Sequence, residues 1–281
     1  MSLPLSGKTV IMSGGSRGIG LAIALRAARD GANIAFIAKT SEPHPDLPGT
    51  VHSAAAEIER VGGHALPVAG DIRDDETVLR AVECAVAQFG GIDICVNNAS
   101  AIDLARTTTI SMKRYDLMQD VNTRGTFLLS RACVAHLAAA DNPHILTLSP
   151  PLNLDPRWMG AHLGYTIAKY GMSLCTIGLA DELRAKGIAA NSLWPAAMVE
   201  TVAVTRLLGG DRAARTRSPE VMSDAAYLIV TSPSSEFTGE LLLDEEVLTR
   251  FGVTDLSRYR RCARENDLER DLFVDPAPTR A

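Results

Sequence analysis

Tyr165 and Lys169 are the pair of side chains in this sequence with the clearest capacity for acid–base chemistry. They are four residues apart in a predicted helix, Leu163–Arg184, so they share one helical face. A free tyrosine has a pKa near ~10 and is a poor base at neutral pH, but a neighbouring ammonium group stabilises the phenolate and lowers that pKa. The spacing therefore predicts that Tyr165 is a general acid and base with Lys169 as its electrostatic partner. The alternative is an incidental pair on an exposed helix.

A second feature with chemical capacity is a glycine-rich turn near the N-terminus, Ser13-Gly14-Gly15-Ser16-Arg17-Gly18-Ile19-Gly20. Glycine permits a tight turn and lets the backbone approach a pyrophosphate, and a helix N-terminus offers free N–H groups. Because this turn follows a predicted strand and opens a predicted helix, it indicates a dinucleotide site. The predicted ligand-binding residues here are Gly14, Ser16, Arg17, Gly18, Ile19 and Gly20. The alternative is a purely structural turn.

The elements that must position these residues alternate along the chain. Predicted strands are Thr9–Met12, Asn33–Ala38, Ala65–Ala69, Ile92–Val96, His144–Leu148, Ile188–Leu193 and Glu240–Leu243. Predicted helices are Ile19–Arg29, Val51–Val61, Asp74–Phe89, Tyr115–Ala140, Leu163–Arg184 and Ser218–Val230. Short strands that are apolar on both faces and alternate with helices predict an α/β fold. We expect a single-domain Rossmann-type, doubly wound parallel sheet with helices on both faces.

Three regions interrupt this alternation. Thr40–Thr50 and Pro150–Gly160 are proline-rich and are predicted as loops, and Asp244–Ala281 is a charged tail. We therefore predict one cofactor-binding domain over residues 1–245, with a lid near residues 196–215. Residues 246–281 are predicted to be an extension that packs on the domain or on a neighbouring subunit.

Composition excludes several classes of protein. Hydrophobic residues make up 46% of the 281 residues and charged residues 22%, which suits a globular protein with a sizeable core. The net charge of −5 gives no electrostatic reason to bind nucleic acid. No apolar run is long enough to span a bilayer, and the N-terminus lacks the apolar core of a signal peptide. The five cysteines are widely spaced without a CxxC pair, which predicts a reducing, cytoplasmic location, and we predict no metal site.

Three motifs in order resemble those of the short-chain dehydrogenase/reductase family. They are the GxxxGxG turn, Asn97-Asn98-Ala99-Ser100 after the fourth strand and Tyr165-Thr166-Ile167-Ala168-Lys169, and the resemblance covers about residues 5–245. Three further runs look like the hydroxysteroid dehydrogenase-like protein 2 subgroup, without its sterol-carrier domain. These runs are Ser149-Pro150-Pro151-Leu152-Asn153-Leu154, Leu193-Trp194-Pro195 and Asp271-Leu272-Phe273-Val274-Asp275.

The resemblance implies an oxidoreductase that uses a nicotinamide cofactor on the alcohol or carbonyl carbon of a small molecule. It implies that Lys169 also binds the ribose hydroxyls and that Asn122 holds a water in a proton relay to the lysine; an exposed Asn122 is the alternative. Further cofactor contacts are implied for Asp71, Ile72, Asn98, Ala99, Pro195 and Val199. Asp71 could equally cap the following helix. The family commonly forms dimers or tetramers, so a homodimer or homotetramer is expected.

The end of the second strand, Ile37-Ala38-Lys39-Thr40, favours one form of the cofactor. An acidic residue there would hydrogen-bond the adenosine ribose and repel a 2′-phosphate. This strand ends without a carboxylate, and Lys39 and Arg17 offer positive charge, so NADP(H) is predicted over NAD(H). The alternative is that both cations are merely solvated polar residues.

One position departs from the family's pattern. The family usually has a serine just after the fifth strand, where this chain has Pro150, which carries no side-chain donor. Ser149, one position earlier, is therefore our candidate for the third catalytic group. The competing hypothesis is a cofactor-binding regulatory or scaffold protein with weak or no catalytic activity.

The expected substrate lid is apolar. Its apolar side chains, together with two in the preceding loop, are Trp158, Met159, Val202, Val204, Leu207 and Leu208. They predict a lipophilic substrate, with core or subunit interface as an equal alternative.

Overall fold

Seven parallel strands form one sheet at the centre of the molecule. The computed structural model describes residues 4–45, 47–209, 214–262 and 264–275. The strands are β1 (Thr9–Ser13), β2 (Asn33–Ala38), β3 (His64–Ala69), β4 (Ile94–Asn97), β5 (His144–Thr147), β6 (Ala189–Trp194) and β7 (Leu241–Leu243). Their order is β3-β2-β1-β4-β5-β6-β7. The order in which strands are added to the sheet reverses between β1 and β4. Ligands of open α/β sheets bind in the crevice at this switch point.

Ten α-helices lie in the described ranges, and the larger ones cover both faces of the sheet. They are α1 (Gly18–Ala28), α2 (Val51–Arg60), α3 (Asp75–Phe89), α4 (Met112–Met118), α5 (Gly125–Leu137), α6 (Pro156–Ala161), α7 (Leu163–Glu182), α8 (Val202–Leu208), α9 (Glu220–Val230) and α10 (Asp244–Arg250). Helices α1, α2, α9 and α10 pack on one face with Val10 and Met12 of β1, and α3, α5 and α7 pack on the other with Ile11. Alternate side chains of one strand thus enter opposite cores. The predicted doubly wound α/β fold is confirmed.

Two helical regions differ from the prediction. The single helix expected at Tyr115–Ala140 consists of α4, a π-helical segment (Gln119–Arg124) and α5. The loop expected at Pro150–Gly160 contains α6, which begins at a proline after Asp155, whose side chain accepts a hydrogen bond from the Arg157 backbone N–H (2.9 Å). Proline is favourable at a first helical position because its missing N–H needs no partner there. Pro156, which lies in the predicted loop, therefore marks the start of a helix.

The C-terminal segment returns to the carboxyl edge of the sheet. After α10 the chain passes two short 3₁₀ turns, and Met198 and Asp271 then make backbone hydrogen bonds that hold the segment against the end of β6. The Met198 N–H donates to Glu269 O (2.8 Å), and the Asp271 N–H donates to Ala196 O (3.2 Å). Residues 276–281 of the predicted extension lie outside the described part of the chain.

The segment after β6 contains α8, which begins after Thr201. The Thr201 side chain accepts a hydrogen bond from the Val204 N–H (3.2 Å) and so caps the helix. Residues 210–213 of the predicted lid, and the side chains of Leu207 and Leu208, lie outside what the structure describes. Over the described ranges, no helix has both the length and the apolar character that crossing a membrane requires.

Candidate functional site

The glycine-rich turn lies between β1 and α1, and residues after β4 hold it in place. Asn98 Nδ2 donates to Gly14 O (2.8 Å), and the Ala99 N–H donates to Ser13 Oγ (3.1 Å). A β-carbon on Gly20 would lie only 2.3 Å from Gly14 O, so α1 can approach the turn this closely only with glycine there. The two motifs that the sequence placed 80 residues apart thus form one rigid crevice wall.

The start of α1 offers unused hydrogen-bond donors to this crevice. Gly18 has φ +57°, and Arg17, at the helix N-cap, makes no capping hydrogen bond with its side chain to the described residues. The first backbone N–H groups of a helix have no partner within the helix and carry its positive dipole end. Ser16 is buried at this turn, and Ile19 lines the adjacent cavity. These features fit the binding of a pyrophosphate group.

Lys39 lies at the end of β2 and forms an ion pair with Asp71, which follows β3. Lys39 Nζ is 3.0 Å from Asp71 Oδ2, and Arg73 Nη2 donates to the same oxygen (2.7 Å). Burial raises the pKa of Asp71, but the hydrogen bonds from Arg73 and Lys39 outweigh it and hold that pKa well below its usual range. Asp74, not Asp71, caps α3 by accepting from the Thr77 N–H (3.2 Å). A 2′-phosphate would therefore compete with Asp71 for Lys39.

Arg17 also contacts neighbouring protein groups. Its Nε donates to Pro48 O (2.9 Å) and its Nη2 to Gly49 O (2.8 Å), which ties the glycine-rich turn to the loop before α2. Ile72 is buried beside Gly125 at the start of α5, where an added β-carbon would lie 3.1 Å from its side chain. The residues assigned to the adenosine end of the cofactor therefore surround the ends of β2 and β3.

Tyr165 and Lys169 lie one turn apart on α7, and both side chains are buried, with 4% and 2% of their surface exposed. The Lys169 ammonium donates to Leu148 O (2.8 Å) and lies 5.0 Å from the centre of the Trp194 ring. The Ser100 side chain lies beside the Tyr165 hydroxyl in the wall of one cavity. The predicted acid–base pair thus sits in a largely dry environment at the carboxyl edge of the sheet.

Burial controls the protonation of this pair. It raises the pKa of Tyr165 well above its ordinary value, the Asp271 carboxylate adds to this effect, and the neighbouring Ser100 side chain opposes it. Burial lowers the pKa of Lys169 to about 7, against the opposing attraction of Asp271. In this structure the Lys169 ammonium is directed at Leu148 O (2.8 Å), so the expectation that Lys169 lowers the pKa of Tyr165 stays a prediction. Burial favours the protonated form of Tyr165.

Asn122 lies in the π-helical segment between α4 and α5 and is fully buried. Its side chain accepts from the Ala101 N–H (2.7 Å) and donates to Ala101 O (3.0 Å), so it fixes the chain after β4. π-helical turns inside α-helices are often found at functional sites. The exposed Asn122 that the sequence left open as an alternative is ruled out; a role in proton relay stays a prediction.

A cavity of about 170 Å³ brings Tyr165 and Lys169 together with four of the predicted cofactor-binding residues, Ile19, Asn98, Pro195 and Val199. It is lined by Ile19, Asn98, Ser100, Ile102, Leu148, Tyr165, Lys169, Trp194, Pro195, Met198, Val199, Thr201, Ala203, Val204, Met222, Asp271 and Leu272. Sequence reasoning missed Ser100 and Asp271 as members of this set. A cue for Asp271 was present: the run Leu272-Phe273-Val274 is apolar inside a charged tail.

Ser149 lies behind the cavity rather than in its wall. It is fully buried, and its Oγ has no hydrogen-bond partner among the described residues. Pro150 O accepts a hydrogen bond from Ser173 Oγ (2.6 Å), which fixes this turn against α7. A catalytic role for Ser149 stays a prediction, and the serine hydroxyl that reaches Tyr165 is that of Ser100.

Sequence and structure comparisons connect this site to known proteins. A family model described as short chain dehydrogenase matches residues 8–208. The chain belongs to the short-chain dehydrogenase family. Members of this family are oxidoreductases that act on CH–OH and C=O groups with a nicotinamide cofactor.

Several short-chain dehydrogenase relatives match nearly the whole chain. Hydroxysteroid dehydrogenase-like protein 2 from Danio rerio is 51% identical over 274 residues, which cover 98% of this chain and 65% of that protein. A short-chain dehydrogenase from Mycobacterium thermoresistibile is 57% identical with a TM-score of 0.91, covering 96% of each chain. A Xanthomonas campestris crystal structure is 53% identical with a TM-score of 0.93, covering 98% of this chain and 100% of that one. The predicted family and subgroup are confirmed, and the chain spans 65% of the curated relative's length.

The comparisons leave the choice of nicotinamide cofactor open. Carveol dehydrogenase from Mycobacterium avium, which shares the fold, is in complex with NAD, whereas a metagenomic short-chain oxidoreductase is in complex with NADP. The free helix N-terminus at α1 and the close glycine contacts in this structure fit either dinucleotide. That Lys39 and Arg17 distinguish them stays a prediction.

Proposed function

We propose that this chain is an NADP(H)-dependent oxidoreductase that acts on the alcohol or carbonyl carbon of a lipophilic substrate. The observation that carries the proposal is the cavity in which Tyr165 and Lys169 face Asn98, Pro195 and Val199 at the switch point of the sheet. A protonated phenol, a buried ammonium and Ile19 of the glycine-rich turn line that one small space. This combination suits hydride transfer coupled to proton transfer at an oxygen.

The chain's own residues divide this chemistry among them. When bound, the nicotinamide supplies or accepts the hydride at the substrate carbon. Tyr165 donates the proton to a carbonyl oxygen in reduction, a direction that its raised pKa favours. The positive charge of Lys169 stabilises the phenolate that results. Lys169 can also bind the ribose hydroxyls if its ammonium leaves Leu148 O. The apolar lining excludes water, which strengthens these electrostatic interactions.

A lipophilic substrate is supported by the composition of the cavity wall. Most of the lining side chains are apolar, and those in the predicted lid are Met198, Val199, Ala203 and Val204. Trp158 and Met159 pack instead in the aromatic cluster around Phe273, beside the cavity. Pockets of this kind fix orientation through a few polar groups and gain affinity from apolar burial.

The proposed function is tested by following the oxidation of NADPH by absorbance with a panel of neutral aldehydes and ketones, with decanal as the lipophilic probe. We expect turnover with decanal and weaker turnover with short, polar carbonyl compounds. Binding of NADPH without turnover of any member of the panel would favour the competing hypothesis of a cofactor-binding protein with weak or no activity.

The cofactor preference is tested by Lys39→Asp. Lys39 is 62% exposed, so its contribution to binding a 2′-phosphate is expected at the lower end of the ~1.5–3 kcal/mol range for charged hydrogen bonds. The Kd for NADPH should therefore rise by about tenfold, while the Kd for NADH stays unchanged or falls. Cofactor fluorescence measures both constants. Lys186→Asp, at an exposed lysine after α7, is the matched control, and a variant K39D that binds NADPH as tightly as the wild type would refute the role of Lys39.

We also propose an oligomeric assembly and a cellular location for this chain. Large apolar side chains on the outer faces of α5 and α7 are exposed: Phe127, Leu163, Ile167, Leu174 and Ile177. Pairing of two copies through these helices would bury these side chains, and sedimentation equilibrium measures the resulting oligomeric state directly.

All five cysteines are free, which suits a reducing compartment such as the cytoplasm. We retain residues 1–245 as the cofactor-binding domain and 246–281 as an extension that covers it.

A further inference from the structure

The C-terminal segment places a carboxyl group in the wall of the cavity that holds Tyr165 and Lys169. Asp271 lines that cavity, although only 7% of its surface is exposed. A buried carboxyl group costs free energy unless a partner satisfies it or it is neutral. Its position at the reacting end of the site therefore needs an explanation beyond packing.

The hydrogen bonds described for Asp271 leave one carboxyl oxygen for the cavity. Oδ1 accepts from the Leu272 N–H (2.7 Å). No hydrogen bond described for the nearby cations goes to Asp271: Lys169 donates to Leu148 O (2.8 Å), and Arg270 Nη1 pairs with Glu245 (3.4 Å) while its Nε has no partner among the described residues. Since Oδ1 already accepts a hydrogen bond, a proton on this carboxyl group would reside on Oδ2.

The charges around Asp271 come from three elements. Asp244 of α10, itself fully buried, repels a carboxylate at Asp271, whereas Lys169 of α7 and the adjacent Arg270 attract it. Tyr165 of α7 is neutral at ordinary pH. Burial has the largest effect, and together these influences raise the pKa of Asp271 to about 7. The neutral acid is therefore well populated at and below neutral pH.

We propose that Asp271 is a substrate-binding residue that donates a hydrogen bond from Oδ2–H to the oxygen atom that Tyr165 protonates. The proposal rests on the proposed function. Tyr165 and Asp271 line the same cavity of about 170 Å³, and the Asp271 charge acts on the Tyr165 hydroxyl, so an oxygen held by Tyr165 faces the same space as Asp271. A neutral carboxylic acid in an apolar site stabilises a developing oxyanion, whereas a carboxylate there would repel it.

The proton balance of the step is simple. In carbonyl reduction the carbon–oxygen double bond becomes a single bond, the hydride goes to carbon, and the proton goes from Tyr165 to oxygen. Asp271 keeps its own proton and donates only a hydrogen bond. The site therefore has two donors aimed at one oxygen, with Asp271 supplied by a segment far along the chain from α7.

The test compares Asp271→Asn with Asp271→Ala in NADPH-dependent reduction of decanal. Asparagine keeps an acceptor for the Leu272 N–H and supplies a neutral donor, so D271N should retain kcat/KM within about tenfold. Alanine removes the donor, and D271A should lose about 10²-fold, the effect of deleting one oxyanion donor. Asp275→Asn is the matched control, because Asp275 is an exposed tail carboxylate that binds Trp158 Nε1 (3.1 Å) outside the cavity. Activity in D271A equal to wild type would overturn the proposal.

The pH profile separates Asp271 from Lys169. In reduction the wild-type kcat/KM should fall as pH rises through about 7, because Asp271 ionises and repels the oxyanion. In D271N only a fall caused by Lys169 should remain, displaced to lower pH, because the Asp271 charge that raises the pKa of Lys169 is gone. A D271N profile that falls through the same pH as the wild type would show that Asp271 does not cause the fall, and the proposal would be wrong.

A spectroscopic measurement does not depend on turnover. The infrared difference spectrum between the wild type and D271N at a pH below 7 should show the C=O band of a protonated carboxylic acid. A carboxylate band alone would overturn the proposal.

The proposed function and the role of Asp271 can fail separately. If the wild type binds NADPH but reduces no carbonyl compound, the proposed function fails; if Tyr165→Phe abolishes turnover while D271A does not, only the role of Asp271 fails.

Discussion

Replacing Tyr165 by phenylalanine is expected to lower kcat for NADPH-dependent carbonyl reduction by about 10²- to 10⁴-fold, the range that a positioned general acid contributes. The phenylalanine ring keeps the stacked contact with Phe273, whose ring centre is 6.2 Å away. Only the hydroxyl and its interaction with the neighbouring Ser100 side chain are lost, so the free energy of unfolding should fall by no more than about 1.5 kcal/mol. Cofactor affinity should change little, because the variant retains Lys169 and the glycine-rich turn.

A neighbouring tyrosine provides the control for this experiment. Tyr170 lies on the same helix and also packs on Phe273, with ring centres 5.2 Å apart, but its hydroxyl donates to Asn153 O (2.5 Å) away from the cavity. Tyr170→Phe removes the same atom from the same aromatic cluster and should leave kcat close to wild type. Stopped-flow or steady-state NADPH absorbance measures both variants. Equal activity in Y165F and wild type would contradict the assignment of Tyr165 as the proton donor.

The fold followed from local features of the sequence. Strands that are buried on both faces appear as short apolar runs, so the bounds of β2 (Asn33–Ala38) matched the prediction and those of the other strands differed by one or two residues. Helix ends were equally visible where glycine follows them: Gly90 adopts φ +89° after α3, a conformation that favours glycine. The spacing of apolar residues and the glycines that end helices depend only on a few adjacent residues. The elements that they predict are therefore found in the folded chain.

The features that sequence reasoning missed depend on contacts between distant segments. The pairing of Lys39 with Asp71 joins the ends of two strands that become neighbours only in the sheet. The π-helical segment around Asn122 has the same residue types as an α-helix, so its extra residue per turn leaves no mark on the pattern. Asp271 reaches the site because the chain after α10 turns back. The apolar run Leu272-Phe273-Val274 indicates that this part of the tail is buried, but it does not show which part of the fold it packs against.

The C-terminal segment is expected to be held in place chiefly by Phe273. This side chain is 4% exposed, and its ring lies 5.2–6.2 Å from the rings of Tyr165, Tyr170, Trp158 and Trp194. The segment's backbone adds a hydrogen bond from Trp194 Nε1 to Leu272 O (2.9 Å). Aromatic pairs contribute about 0.5–1.5 kcal/mol each beyond area burial, so this one residue ties the tail to the proposed active site.

Phe273→Ala should therefore lower the free energy of unfolding by about 3 kcal/mol or more, the cost of truncating a phenylalanine in a packed core. The chain has only two tryptophans, and both contact Phe273, so their fluorescence should shift to longer wavelength as the tail loosens. Phe251→Ala is the matched control: that side chain is 42% exposed on the edge of α10 and should cost much less. Denaturant unfolding followed by fluorescence measures both variants. If F273A unfolds at the wild-type midpoint with unchanged emission, the tail does not cover the site in solution. If F273A instead unfolds at lower denaturant concentration and also loses carbonyl reduction, the covering of Tyr165 by this segment is part of the catalytic arrangement. The reason is that a loosened tail admits water and withdraws Asp271 from the cavity.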